Sequence, residues 1–144
     1  MEVRIQKLFA LSQEIYRQII DLLPQLSENI EIQPYLYFDD IINSTGTHIF
    51  CAFDQYQLIG IATLVVYKIP SGIGALIEDL VVDEKYRGLK VGKNIMQHLI
   101  EFCSEKGIKY VNLTSNPARI AANKLYRSLG FKQRETNLYY LELE

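Results

Sequence analysis

Between Ile77 and Phe102 the chain reads IEDLVVDEKYRGLKVGKNIMQHLIEF, and how this stretch divides decides the fold. With its upstream neighbours the first part, GALIEDLVVD from Gly74 to Asp83, is a strand. Its apolar residues fall on both faces, as expected of a central strand covered on both sides. The last part is a helix, because Val91, Ile95, Leu99, Phe102 and Cys103 recur at steps of three or four until Gly107 closes the run. Between them lies RGLKVGK, Arg87 to Lys93. A strand that turns through glycines into a helix is a natural anion site: the first N–H groups of the helix lack intrahelical partners, and the helix dipole adds partial positive charge. Gly88 and Gly92 allow close backbone approach, and Arg87, Lys90 and Lys93 bring charge. Taken alone, the loop is equally readable as a solvated charged connection.

Upstream, Val3 to Lys7 reads as a strand, and Ile15, Ile19, Leu22, Leu23 and Leu26 as a helix that Pro24 ends or kinks. A shorter helix starting near Pro34 carries Leu36, Ile41 and Ile42 and stops at the Ser44-Thr45-Gly46 turn. THIFCAFD, Thr47 to Asp54, and QLIGIATLVVYK, Gln57 to Lys68, flank Gln55-Tyr56 as an antiparallel hairpin, and Pro70-Ser71-Gly72 marks a second turn. Downstream come a short strand, Lys109 to Thr114, and a helix opened by Asn116 as N-cap and Pro117. That helix has Ala118, Ala121, Ala122, Leu125 and Leu129 on its apolar face and Gly130 at its end. Phe131 to Leu143 is strand-like, alternating at its YYLELE tip. The expected order β, α, α, β, β, β, α, β, α, β, β is an α/β domain with a mixed sheet and no linker, so residues 1–144 are expected to form a single domain.

Composition excludes several classes. The net charge of −2 is spread without a basic stripe, which argues against nucleic acid as partner. No apolar run reaches the ~20 residues of a membrane span, and MEVRIQKLFALSQ lacks the order of a signal peptide, so a cytoplasmic location is expected, with no membrane partner. Cys51 and Cys103 fit neither a CxxC motif nor a metal site, and Cys103 falls on an apolar helix face; no metal is expected. Tyr35, Tyr37, Phe38, Asp39 and Asp40 form an acidic-aromatic cluster that would suit a cationic amine, or simply an amphipathic helix with a solvated acidic side.

IEDLVVDEKYRGLKVGKNIMQHLIEFCSEKG followed by YVNLTSNPARIAANKLYRSLGF resembles the GNAT superfamily of acetyl-CoA-dependent N-acetyltransferases. The resemblance is specific from about Gly74 to Tyr140, with the cofactor-binding part at about 74–131. The family's loop has Arg or Gln, two residues, Gly, one residue, then Gly or Ala. Here Arg87-Gly88-Leu89-Lys90-Val91-Gly92 keeps the first and last anchors and puts Lys90 in place of the middle glycine. Glucosamine-phosphate N-acetyltransferases of the superfamily resemble the Ile77 to Val81 strand and can also lack that glycine. If φ is positive at Lys90, the cost is about 1 kcal/mol. The downstream AANKLYRSLGF, Ala121 to Phe131, matches the family's alanine-rich helix, Tyr and Gly-Phe.

The resemblance implies a GNAT fold, with a mixed, mostly antiparallel sheet flanked by helices, and transfer of acetyl from acetyl-CoA to a primary amine of a small molecule or peptide. Backbone groups of Arg87, Gly88, Leu89, Lys90, Val91, Gly92 and Lys93 would take the coenzyme A pyrophosphate. Those of Leu80, Val81 and Val82, at a bulge in the central strand, would hold the thioester and pantetheine. Arg119, Asn123 and Tyr126, spaced by four and three, form one polar helix stripe along which the pantetheine arm would run. By the resemblance Tyr126 would protonate, or hydrogen-bond, the departing thiolate; from their place in the strand either Glu78, the first candidate, or Asp79 could accept the amine proton, directly or through water, or bind the substrate's ammonium. Glu78 and Asp79 interrupt an apolar strand; burial there would raise a carboxyl pKa into a useful range, while pairing with a basic neighbour would make it structural. The rival reading is a non-catalytic acyl-CoA-binding sensor or interaction module. The tail NLYYLELE could pair with a neighbour's sheet and make a homodimer.

Overall fold

The computed structural model describes residues 1–144 and divides into two units, Met1–Leu113 and Thr114–Glu144. The first unit contains β1 (Val3–Lys7), α1 (Gln13–Leu22), α2 (Tyr35–Asn43), β2 (Thr47–Asp54), β3 (Gln57–Ile69), β4 (Gly72–Val82), α3 (Val91–Glu105) and β5 (Tyr110–Asn112). Ser12 caps α1 by accepting the Ile15 N–H at 3.1 Å. Pro24 ends it as expected, in a 3-10 turn over Leu23–Gln25. Pro34 occupies the extended cap position of α2. Both hairpins form where the turn residues place them, with Gln55 at φ +54° in the first.

The five strands lie in sequence order, β1-β2-β3-β4-β5. The first four are antiparallel neighbours and β5 runs parallel to β4, so the sheet is mixed and mostly antiparallel. On one face, α1 and α2 bury Leu8, Ile19, Leu22, Leu23 and Phe38 against Ile49, Cys51, Phe53, Leu58, Ile61 and Val81. The opposite face carries Phe50 and Leu64 and is covered by α3, whose Val91, Ile95, Met96, Leu99 and Cys103 are buried, in agreement with the helical spacing. Phe50 packs edge-on to Phe102 at 5.3 Å between centroids.

Gly60 sets how close α3 comes to the sheet. A Cβ there would lie 2.8 Å from Ile95 Cδ1 and 3.5 Å from Val91 Cγ1. The first turn of α3 therefore sits against bare β3 backbone beside Val82, which pairs with Gly60.

The second unit contains α4, Ile120–Ser128. It begins three residues later than Asn116-Pro117 suggested. The Asn116 side chain accepts the Ala118 N–H at 2.8 Å and its carbonyl accepts the Arg119 N–H at 3.0 Å. Its capping capacity closes a preceding turn, and Arg119 takes the cap position instead. Ala118 and Ala121 are exposed, and Tyr126 is the buried residue of the helix. Gly130, at φ +99°, ends the helix as expected. The two expected closing strands are not formed: residues 131–144 adopt no regular element, and Leu138, Tyr139, Tyr140, Leu141 and Leu143 are exposed. A period-two pattern specifies a face to bury, but a strand exists only when a neighbour completes its hydrogen-bond ladder, and the ladder ends at β5.

Gly60→Ala is expected to cost about 1–3 kcal/mol in chemical denaturation, because the added methyl overpacks the α3 contact. In an Ile95→Val background, which removes Cδ1, the same change should cost measurably less; additive costs would refute the contact.

Candidate active site

Two departures from regular strand geometry shape β4. Ile61 pairs with Val81 and Thr63 with Glu78, so Ala62 faces both Asp79 and Leu80. That is a β-bulge, and Asp79 occupies it at φ +52°. The bulge reverses the alternation: Gly74, Leu76 and Glu78 share a face with the cross-strand partners Tyr67, Val65 and Thr63, whereas beyond it Val81 takes that face. Second, β5 stays with β4 only over Gly74–Leu76. From Ile77 to Val82 this edge of β4 has no strand partner, so its backbone polar groups are open to a ligand.

Beyond Val82 the chain enters the turn. Arg87 Nε donates to the Val82 carbonyl at 3.2 Å, tying the turn to the strand end, and Tyr86 donates its hydroxyl proton to Asp54 at 3.1 Å. Gly88 takes φ +79°, and Lys90 takes φ +66°, ψ 17° as the residue capping α3. The position where a glycine would ordinarily stand is therefore left-handed, at about 1 kcal/mol for a lysine. Val91, Gly92 and Lys93 open a fifteen-residue helix with N–H groups that have no intrahelical partner. Gly92 adds no side chain in that first turn, so an anion can reach backbone there.

Glu78 and Asp79 are both exposed, so the expected burial is absent. On the face of Glu78 the cluster packed under α1 and α2 includes Val81 but not Glu78. Neither makes a salt bridge, so the basic-partner reading does not hold either. Two members of the acidic-aromatic cluster on α2 are held in packing: Tyr35 donates to the Leu11 carbonyl at 3.0 Å, Phe38 is buried, and both rings pack edge-on to Tyr16 at 5.5 Å, while Tyr37 and Asp40 are exposed.

In the second unit, Tyr126 is 7% exposed and packs edge-on to Phe131 at 6.2 Å, with no hydrogen-bond partner on its hydroxyl. Asn123 donates its amide to the carbonyls of Asn116 (3.0 Å) and Pro117 (3.5 Å). Its expected service to a pantetheine is thus limited to its oxygen. Arg119, at the helix cap, is exposed.

Sequence reasoning missed the backbone role of Asp79. The signal was present, because an Asp inside an apolar run is one of the few residues that tolerate the left-handed region. It also missed Tyr67 and Tyr110, whose rings meet across β4 at 6.3 Å over Gly74. A Cβ on Gly74 would come within 2.7 Å of the Tyr67 hydroxyl and closer still to the Tyr110 ring. Desolvation, then the neighbouring Tyr110 hydroxyl, raises the Tyr67 pKa. A polar cleft between α1 and the Asp54–Gln57 hairpin offers no comparable chemistry: Arg17 is paired with Glu14 and Asp21, and Asp54 with Tyr86. No cluster of three or more His, Cys, Asp or Glu is placed to hold a metal ion, and no helix is long and apolar enough to cross a membrane.

With its bulged strand, free edge and glycine-bearing turn at a helix N-terminus, the chain belongs to the acetyltransferase (GNAT) family, whose model matches residues 8–131. Among curated relatives, a glucosamine 6-phosphate N-acetyltransferase of Trypanosoma brucei brucei is 34% identical over 95 residues, covering 64% of this chain and 63% of the relative. The chain thus matches somewhat under two thirds of that enzyme's length. Among solved structures, an aminoglycoside acetyltransferase from an uncultured soil metagenomic sample, in complex with trehalose, superposes with TM-score 0.88 at 22% identity over 99% of this chain and 97% of that one. AAC(6')-Iy in complex with the bisubstrate analog CoA-S-monomethyl-acetylneamine does so with TM-score 0.81 at 18% identity, covering 99% of each chain. At these identities the two structures establish the fold.

Lys90→Gly is expected to be neutral or slightly stabilising, since relief of left-handed strain offsets the added chain entropy, whereas Lys90→Val should cost about 1–2 kcal/mol in thermal denaturation. A stabilising Lys90→Val would contradict the left-handed assignment. Burial pushes the Cys51 thiol up to about 12 and raises that of Cys103 as well. Because raised pKa values leave both thiols protonated at neutral pH, native protein should not react with a disulfide reagent at pH 8, and both thiols should react after denaturation in guanidinium.

Proposed function

We propose that this protein is an N-acetyltransferase that moves acetyl from acetyl-CoA to a primary amine of a small molecule or peptide by direct attack. The observation that carries this reading is the continuity of β4, turn and α3. The edge unpaired from Ile77 to Val82 runs straight into the left-handed turn at the α3 N-terminus. One strand and one helix thus present a line of free backbone donors, suited first to an amide-bearing thioester arm and then to a pyrophosphate.

Acetyl-CoA, when bound, supplies the activated acetyl thioester. The N–H groups of Val91, Gly92 and Lys93, with the turn from Arg87 to Lys90, would hold the pyrophosphate. Lys90 and Lys93 add charge that a phosphate favours. Backbone groups of Leu80, Val81 and Val82 would fix the pantetheine and orient the carbonyl for attack. Transfer forms a C–N bond and breaks the C–S bond; the nitrogen loses a proton and the sulfur gains one. Glu78, exposed beside the bulge, is assigned the nitrogen's proton, directly or through water. Tyr126, its hydroxyl without a protein partner, is assigned the proton given to sulfur. Arg119 and the Asn123 oxygen are assigned to the arm of the cofactor.

The test is thiol release from acetyl-CoA across a panel of amines, including polyamines, amino sugars, amino acids and basic peptides. Tyr126→Phe should lower kcat by about tenfold or more while coenzyme A affinity stays within about twofold. Unchanged turnover would remove Tyr126 from the proton transfer. Gly92→Leu should weaken coenzyme A binding by about tenfold or more, since its side chain would enter the cradle, and equal affinity would count against that cradle. Binding of coenzyme A without turnover of any amine would instead establish an acyl-CoA-binding module.

A further inference from the structure

The cluster buried under α1 and α2 reaches Ile61 and Val81 and stops there. On the same face of the sheet, farther along, β3 and β4 place Val65 beside Leu76 and Tyr67 beside Gly74, and β5 adds Tyr110 and Asn112 in register with Gly74 and Leu76. This strip is a track with two distinct ends. At one end stands Glu78, next to the bulge. At the other the Tyr67 and Tyr110 rings close over Gly74, 6.3 Å apart and inclined by 61°. Four residues of strand separate Gly74 from Glu78, a span of about 13 Å. Leu76 and Val65 form a half-buried apolar floor between them.

The charge on this strip has one sign. Glu78 is a carboxylate, and none of the residues that β3, β4 and β5 put on this face is cationic. Tyrosine faces attract cations through their ring quadrupole. A substrate lying here with its reacting nitrogen at Glu78 meets, about two strand repeats away, a second site that also favours positive charge. A phosphate or carboxylate on the substrate body would meet a carboxylate, π-faces, apolar side chains and the neutral Thr63 and Asn112, but no cation.

We infer that this track selects the acceptor, and that its acceptor class is an elongated polycationic amine, with one amine at Glu78 and a second ammonium group about two strand repeats away on the Tyr67–Tyr110 pair. This rests on the acetyltransferase reading of the same site and adds the substrate class to it. It also separates the chain from its glucosamine 6-phosphate N-acetyltransferase relative, whose named substrate carries a phosphate. Gly74 is the positioning residue of the pair: with any side chain there, Tyr67 and Tyr110 cannot meet over β4.

Equilibrium binding tests this apart from turnover. By calorimetry, the full chain should bind the linear triamine spermidine at least about tenfold tighter than propylamine or glucosamine 6-phosphate. Tyr67→Leu and Tyr110→Leu should each weaken spermidine binding by about three- to tenfold, with propylamine affinity changed less than twofold. Glu78→Gln should weaken both amines. Gly74→Ala, checked for folding by circular dichroism, should reproduce the tyrosine variants. Equal affinity for the three ligands, tighter binding of the phosphorylated sugar, or tyrosine variants that lose nothing would each overturn the inference. Spermidine bound with this selectivity but never acetylated would uphold the track and sink the transferase reading. Thiol release with glucosamine 6-phosphate and no preference for polycations would do the reverse.

Discussion

The structure turns on the place where β5 leaves β4. Parallel pairing holds for three residues, Gly74 to Leu76, and then ends. A backbone edge in a folded core must find partners or face water, because each unmade buried hydrogen bond costs about 1–3 kcal/mol. Here the edge from Ile77 onward is left open, and the bulge at Asp79 begins two residues later. The bulge bends the strand and reverses which residues face α1 and α2, so Val81 can join the core although Glu78, three residues earlier, shares its face outside it. A carboxylate and an open backbone edge are thereby brought side by side without burying either.

The turn into α3 depends on that same strand from the other end. Asp83 N–H donates to Ile59 at 2.8 Å, Arg87 grips the Val82 carbonyl, and Gly60 lets Val91 and Ile95 press close to β3. The α3 N-terminus is therefore not a freely hinged loop but a rigid continuation of β4. Left-handed Asp79 and Lys90 together represent roughly 2 kcal/mol of backbone strain, stored on either side of the same few residues. Strain persists only where surrounding packing over-determines it, and here both neighbours of the strained segment are buried: Val81 on one face and Val91 on the other.

Most of the fold was legible in the sequence because its signals are local and strong. Period-two and period-3.6 patterns marked β1, β2, β3 and α3 within a residue or so at most ends, and Pro24, Pro34 and Gly130 stopped or started helices for steric reasons that need no tertiary context. The tail was not legible, because alternation in YYLELE describes one strand's faces and says nothing of whether an opposing ladder exists. Asn116 failed as a cap for a related reason: its side chain can satisfy either a helix N–H or a nearer turn N–H, and the nearer one took it. The site was half legible. Arg87 to Lys93 stood out by composition, and Lys90 took the left-handed backbone that replacing a glycine requires. The burial of Glu78 and Asp79 was misjudged, since apolar sequence neighbours indicate a central strand but cannot reveal how far along each face the helices cover it.

Glycine at position 74 ties the two halves of this chemistry together. Both Tyr67 and Tyr110 flank β4, and only the missing side chain between them lets the rings share one place on the sheet. Four residues later the same strand carries Glu78, and one further Asp79 turns the backbone into the bulge. The aromatic pair, the carboxylate and the bulge thus lie on or against a single strand, in a fixed register. Because that register cannot slip without moving Ile77 and Val81 out of the core, the distance from aromatic pair to carboxylate is held by the hydrophobic packing of the whole sheet. Any ligand that spans the two would therefore meet a fixed spacing, rather than a loop that can adjust to it.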